Sequence, residues 1–536
     1  MKQKKVITEK EIKEARLTMQ KYKNGKASLE NRIVEDELFW KRCHWQQIRE
    51  KGEQQSASAW LFNVIVNKHA DAMDNYPEAA MMPREPSDEE SVQTLSQVMP
   101  VILEQNRFRK TYSDAWWYKL KHGCCAYGIF WNGQAEEGKG CIEIKRLDLL
   151  NIFWEPGITD IQKSRNLFIC DLVPVDVLKE RYNNIDIKGG EQGELKKYVY
   201  DDSFDTSDKA LVVDWYYKKN GKLHFCKFCE EKILFASENE SGYENGWYED
   251  GEYPVVFDVL FPEDGTPVGF GMVSVCKDAQ CDIDLLDGMV LDYIWKTANP
   301  RFLASKSAGI NKEEFLDPKN SLIEVEGNID EEKFRSVQMP SLPPQVLNMR
   351  REKIEELKET SGNTDFMQGN TGKGVTSGFA IATIQEEGNK TTRDSVGMSH
   401  ESFKLIGHMI IERIRQFYDI TRVFRITEPD GGYKFTEFNN SKIKLQPSEG
   451  AAGETLFRKP VFDIVVHAQR KNPFSTLSQN ETAMNLLSAG MFDPQMAQQA
   501  LVALEMMTFE GKEKIVKYVQ QGATLQNQLM QMQEKL

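Results

Sequence analysis

The sequence predicts an α+β protein in which long helices surround a strand-rich middle, and three observations carry that reading. Helical periodicity dominates 8–126, short strand-like runs alternate with turns over 127–260, and from 269 two long helices bracket a compact insert. At 536 residues, with 40% hydrophobic and 28% charged positions, the composition is that of an ordinary folded protein with room for several cores. No run of 18 apolar residues occurs, so no membrane span is expected. The start, "MKQKKVITEKEIKEARL", is basic without an apolar stretch behind it and does not read as a secretory signal.

Charge narrows the function classes. Residues 1–50 carry 13 Lys/Arg against 8 Asp/Glu, yet the whole chain stands at −14. Gripping nucleic acid over a broad surface requires neutralising phosphates, which such an acidic chain is poorly equipped to do. Sliding or transient contact with DNA stays compatible with it.

In chain order, 8–50 and 53–76 read as helices, and 87–126 reads as helical with an end near Gly123. Trp116, Trp117 and Tyr118 stand among Arg107, Arg109, Lys110, Lys119 and Lys121. That mix would suit base stacking, but clustered aromatics on a helix are expected to pack in a core. Strands follow at "AYGIFWNG", "GCIEIKRL", "NIFWEPG" and "EYPVVFDVLF", with a short helix at "VDVLKERYNN". "LVVDWYYKKNGKLHFCKFCEEKILF" reads as a hairpin turning at Asn220-Gly221.

A helix over 269–298 would be about 45 Å long at the usual rise of 1.5 Å per residue. Cys276, Ala279, Ile283, Leu286, Val290 and Tyr293 form its apolar stripe. Asp278, Asp282, Asp284, Asp287 and Asp292 are expected to make an acidic, solvated face. Asn299-Pro300 ends the helix. An insert with strands at "RFLAS" and "SLIEVEG" then exits through "MPSLPPQ". The returning helix "VLNMRREKIEELKE" is laced with charge, for example Arg351 with Glu355, and has a narrow apolar seam. A later helix carries a stripe at Phe403, Ile406, Ile410, Ile414 and Phe417. "RVFRITE" and "FDIVVHAQ" read as strands, and helices run from 475 to "TLQNQLMQMQEKL".

Chemical motifs fail on spacing. "GNTGKGVTSG" (369–378) looks like a phosphate-binding loop, but Gly372-Lys373 is followed by Gly374, and Met367 stands where the first glycine belongs. The charged helical stretch before it is also not the buried strand that such a loop follows. Cys226 and Cys229 lie on one strand and must face opposite sides, so zinc is not expected there. Nine cysteines in a cytosol-like sequence read as free thiols, Cys124-Cys125 as buried filler. His400-Glu401 lacks the second histidine of a zinc-protease helix, because position 404 is lysine. No nucleophile elbow appears, and neither a cofactor nor a metal is expected.

The order of these elements resembles the portal protein of tailed bacteriophages, the ring at the capsid vertex through which DNA enters and leaves. "NVIVNKHADAMDNYPEAAMMPRE" resembles the family's early helix and turn, and "RLDLLNIFWEPGITDIQKSRNLFICDLVPVDVLKERY" its wing segment. "GFGMVSVCKDAQCDIDLLDGMVLDYIWKTANPRFL" is similar to the first stem helix and the entry to the clip. "LPPQVLNMRREKIEELKETSGNTDFMQGNTGKGVTSGFAIATIQEEGN" is similar to the returning stem helix, tunnel loop and channel helix. The likeness covers about 55 to 425; no single motif is diagnostic, but the order is specific.

The resemblance implies a portal fold with N-terminal helices and α+β wing (1–268), first stem helix (269–298), clip (299–345), second stem helix (346–360), tunnel loop (361–378), channel helix with return strands (379–470) and helical crown (471–536). It implies a homo-oligomeric ring, a dodecamer in the family, that passes double-stranded DNA without sequence specificity. The expected partners are the large terminase, head-completion and tail adaptor proteins, and capsid and scaffolding proteins, with no membrane. The implied place is the virion portal vertex, preceded by the host cytoplasm. In the tunnel loop, Gly362, Gly369, Gly372, Gly374 and Gly378 are expected to act as hinges. Asn363, Gln368, Asn370, Thr371 and Thr376 would face DNA, with Lys373 presenting one cation per subunit. Lys312, Glu313 and Lys319 of the clip are the expected docking residues. The chain would be no enzyme. Another virion ring or adaptor protein is the alternative.

Overall fold

A computed structural model describes residues 6–45, 55–182, 208–299, 302–304, 334–337, 340–363, 390–427, 433–449 and 455–470, with isolated positions elsewhere. The chain divides into two compact units, one of 1–72 with 79–466, the other of 73–78 with 467–536. In the smaller unit the described residues Leu486, Ala500, Leu504 and Val519 form a buried apolar cluster.

The first expected helical region is two helices, α1 (Glu9–Gly25) and α2 (Ala27–Trp40), separated at Lys26. Thr8 starts α1 with a capping box, its N–H donating to the Glu11 carboxylate at 2.9 Å. After them come α3 (Trp60–Asp74), β1 (Asn75–Pro83), α4 (Glu89–Gln105) and α5 (Phe108–His122). Gly123 ends α5 with φ 87°, a left-handed conformation that suits glycine.

The strand region forms two antiparallel sheets. β2 (Cys124–Asn132) lies between β3 (Cys141–Leu147) and β9 (Val255–Val259). The larger sheet runs β4 (Ile152–Trp154), β5 (Asn166–Pro174), β6 (Lys209–Lys219), β7 (Lys222–Cys229), β8 (Lys232–Ala236), with the short helix α6 (Val175–Arg181) after β5. The β6–β7 turn falls at Asn220 (φ 53°) and Gly221 (φ 76°), as the hairpin reading requires. Ile12, Ala15 and Met19 of α1 pack on one face of this sheet with Trp215 and Cys226, while Cys229 joins a separate cluster with Leu178 and Val212. The two thiols therefore stand on opposite faces.

Two helices form an antiparallel hairpin, α7 (Met272–Ala298) and α8 (Pro344–Ser361), with short strands β10 (Phe302–Ala304) and β11 (Phe334–Ser336) paired between them. Then come α9 (Lys390–Phe417), β12 (Arg422–Thr427) paired with β13 (Tyr433–Phe438), β14 (Gln446–Glu449) paired with β15 (Thr455–Arg458), and β16 (Phe462–Arg470), which pairs with β1. "SLIEVEG" and "TLQNQLMQMQEKL" lie outside the described residues.

Two expectations for α7 need correction. Its acidic face is not uniformly solvated. Asp284 is 0% exposed, Asp287 pairs with Arg350, and Asp282 stands 3.2 Å from Lys353. Partners from α8 and from the segment before α3 reach those carboxylates, which a pattern read along one helix cannot show. On α8, Glu355 pairs with Lys358 and Lys353 with Glu356. The apolar stripe also changes along its length. Cys276 and Ile283 are buried, whereas Leu286, Val290 and Tyr293 are only half-covered. Interleaved with them, Leu285, Met289, Leu291, Ile294 and Trp295 are exposed, Trp295 at 62%.

Candidate functional site

Helix α8 leads into the glycine-rich segment and α9 leads out of it. Gly362 closes α8 at φ 66°, its N–H donating to the Glu359 carbonyl at 3.1 Å, and the next N–H, from Asn363, returns to the Lys358 carbonyl at 3.1 Å. The Asn363 side chain then turns onto α3, where Asn67 Nδ2 donates to its Oδ1 at 3.2 Å and lies 3.4 Å from Asn63 Oδ1. The residue after Asn67 serves the other foot. Lys68 is buried, and its Nζ donates to Thr392 Oγ1 in the first turn of α9 at 2.8 Å. Burial pushes the Lys68 ammonium below the ordinary lysine range, with Asp71 pulling it back. A cavity of about 260 Å³ opens beside this junction, lined by Asn63, Asn67, Lys68, Asp71 and Gly362 among others. Two consecutive residues of one helix thus hold both ends of 364–389.

The distal half of α7 adds the second feature. Leu285 and Met289 lie one turn apart on one flank, Leu291 and Trp295 one turn apart on another, and all four are exposed. A helix apolar on several sides belongs in a larger assembly.

The family model for phage P22-like portal proteins matches residues 69–256 and 218–536. The chain belongs to that family. It is a tailed-phage portal protein, a structural component of the capsid vertex, and membership implies a homo-oligomeric ring. No curated protein matches the chain. The match begins within α3 and runs through the C-terminal residues, beyond the stretch of about 55 to 425 that resembles portals by its order of elements.

Within the portal, Gly362 sits where a left-handed residue is required. Asn363, expected to face DNA, is 5% exposed and has its side chain on Asn67, so it is part of the loop's foot. Gln368, Asn370, Thr371, Lys373 and Thr376 lie outside the described residues, as do Gly369, Gly372, Gly374 and Gly378, and Lys312, Glu313 and Lys319. Sequence reasoning missed Asn67, Lys68 and Thr392. One signal was present: Lys68 and His69 interrupt an apolar stripe of Leu61, Val64, Ile65 and Ala72.

A buried polar cluster joins three elements of the core. Lys119 Nζ donates to Asp258 Oδ1 at 2.7 Å and to Ser399 Oγ at 2.6 Å, and Ser399 Oγ donates to Asp258 Oδ2 at 2.6 Å. A serine beside a lysine could act as a nucleophile with its base. Here all three side chains are sealed in the core where α5, β9 and α9 meet. Burial pushes the neighbouring Cys124 and Cys125 thiols far up, with Asp258 adding to it, so both stay protonated and inert. Trp116 is 1% exposed and Trp117 stacks on His69 at 3.7 Å, so these rings form core packing. Among the described residues no helix is long and apolar enough to cross a membrane.

Proposed function

We propose that this portal chain assembles into a closed ring, a dodecamer as in other portals, whose axial channel passes double-stranded DNA during genome packaging and ejection. The observation that carries the reading is the exposed apolar distal half of α7, where Leu285, Met289, Leu291 and Trp295 lie uncovered on two flanks in a single chain. A closed ring needs two different surfaces per subunit, one for each neighbour, and two flanks of one helix meet that need. Negative-stain microscopy of the purified protein tests it. Rings with an open axial hole are expected, and a monodisperse monomer at micromolar concentration, with no rings in virions, overturns it.

The loop at 361–378 projects toward DNA in this reading. Its glycines admit backbone conformations closed to other residues, Gln368, Asn370, Thr371 and Thr376 offer uncharged hydrogen bonds, and Lys373 supplies one cation per subunit. A net charge of −14 suits a conduit that lets DNA slide. The chain acts mechanically. Gly372-Lys373-Gly374 departs from the phosphate-loop pattern, so ATP hydrolysis belongs to a separate large terminase. The terminase docks at the clip, 299–345, an insert carried on two helices. Head-completion and tail adaptor proteins replace it later, and capsid and scaffolding proteins meet the portal during assembly in the host cytoplasm. Substitution of Lys312, Glu313 and Lys319 tests the docking. Loss of terminase binding is expected, and intact binding moves the docking surface elsewhere.

A further inference from the structure

We infer that Asn67 and Lys68 are positioning residues that set the relative placement of Asn363 and Thr392, which flank the stretch containing the channel loop, holding both to a single turn of α3. The inference rests on the reading that 361–378 works against DNA. Asn67 holds the outgoing foot through Asn363, and Lys68 holds the returning foot through Thr392. Both contacts are long-range, 296 and 324 residues apart in sequence, so neither follows from local helix geometry.

Packing alone does not explain Lys68. The buried face of α3 also carries Leu61, Val64, Ile65, His69 and Ala72; His69 is matched by Ser113, and at position 68 a methionine would fill the face without taking an ammonium out of water. Lysine brings a directed hydrogen bond that methionine lacks, and the bond ends on the first turn of α9. Asn67 is matched in the same way. Its amide lies within reach of Asn63 on its own helix and Asn363 on the far side, so it ties the C-terminal cap of α8 to the body. The reach of any connecting segment depends on where its ends are fixed. Holding both ends on one rigid turn makes the loop's starting geometry the same in every subunit of a ring.

Asn67→Ala, Lys68→Met and the double variant test the clamp in assembled rings. The readouts are ring formation by negative-stain microscopy, backbone hydrogen exchange at 361–363 and 390–394, and DNA content of particles. Rings should form in all three, since neither residue lies on the exposed flanks of α7. Exchange should accelerate about tenfold at 361–363 in Asn67→Ala and at 390–394 in Lys68→Met, the loss of roughly one hydrogen bond at each foot, and at both feet in the double. Thr392→Ser, which keeps the hydroxyl, should behave as wild type, whereas Thr392→Val should reproduce Lys68→Met. If Lys68→Met fails to fold, Asn67→Ala and the Thr392 pair carry the test. Unchanged exchange at both feet in intact double-variant rings overturns the clamp. Faster exchange with reduced DNA content supports both readings; faster exchange with full DNA content supports the clamp and removes the DNA role of the loop.

Discussion

Asp284, at the centre of α7, accepts hydrogen bonds from both the backbone N–H and the hydroxyl of Ser58, each at 2.7 Å. Trp45 Nε1 and Gln280 Nε2 donate to the same carboxylate at 3.3 and 2.9 Å, and His44 Nε2 lies 3.0 Å from it. The segment before α3 is tied to α7 at this carboxylate, and Gln280 adds a second tie by donating to the Ser58 hydroxyl at 2.7 Å. Burial pushes the carboxyl up, but the hydrogen bonds from His44, Ser58 and Trp45 hold it below its ordinary value.

Asp284→Asn should therefore destabilise the fold by about 2–4 kcal/mol at pH 7, because the amide turns a donor toward groups that are donors already. A carboxylate with a lowered folded pKa contributes stability that is present above its ordinary value of 3.8 and lost as the pH falls through the lowered one. The deficit of Asp284→Asn should shrink in acid accordingly. Denaturant midpoints of wild type and variant at pH 7 and pH 3 measure it, and a deficit that does not change would remove Asp284 as an ionised hub.

Glu37 gives a second acid-sensitive contact. Burial raises its carboxyl, but the His122 ring at 3.4 Å and the Lys121 ammonium at 2.6 Å bring it down to about 2. Its contribution should be complete above pH 4.5 and vanish as the pH approaches 2. Asp36 beside it is pushed up by burial, so the comparison of wild type with Glu37→Gln reports on Glu37. A loss of roughly 1–3 kcal/mol is expected at pH 7 from removing one charged partner.

On α7, Leu291→Glu and Trp295→Glu should leave the circular dichroism of the subunit unchanged and abolish rings. Covering a large apolar side chain contributes roughly 1.5–3 kcal/mol, and a glutamate in its place adds a desolvation cost. Microscopy together with sedimentation decides it. Normal rings from the double variant would place the subunit contacts elsewhere.

Gly372→Pro with Gly374→Pro should assemble normally yet package or retain DNA poorly, since proline fixes φ near −65°. Lys373→Ala should be much milder, because one solvent-screened charge contributes no more than about 1 kcal/mol. Full-length DNA in double-proline particles would show that the loop does not work by moving. Failed rings would make it an assembly element.

What the sequence determined by itself was whatever a few neighbouring residues decide. Asn220-Gly221 sets the β6–β7 turn because both positions need positive φ, and Gly123 ends α5 for the same steric reason. Cys226 and Cys229 face apart because strand side chains alternate. The lengths of α7 and α8 followed from periodicity, and the order of elements pointed to a portal before any contact was known.

Only the tertiary structure decided which polar groups are solvated. Asp284 reads as one more surface aspartate until Ser58, 226 residues away in the chain, is placed against it. Asn363 reads as a loop residue free to meet DNA until Asn67 takes its side chain. Lys68 marks itself as a lysine on a largely apolar stripe, but nothing near it in the chain names Thr392. Backbone conformation is set by sterics within a few residues. The cost of burying a charge or an amide depends on the partner that meets it, and that partner arrives from wherever the fold brings it.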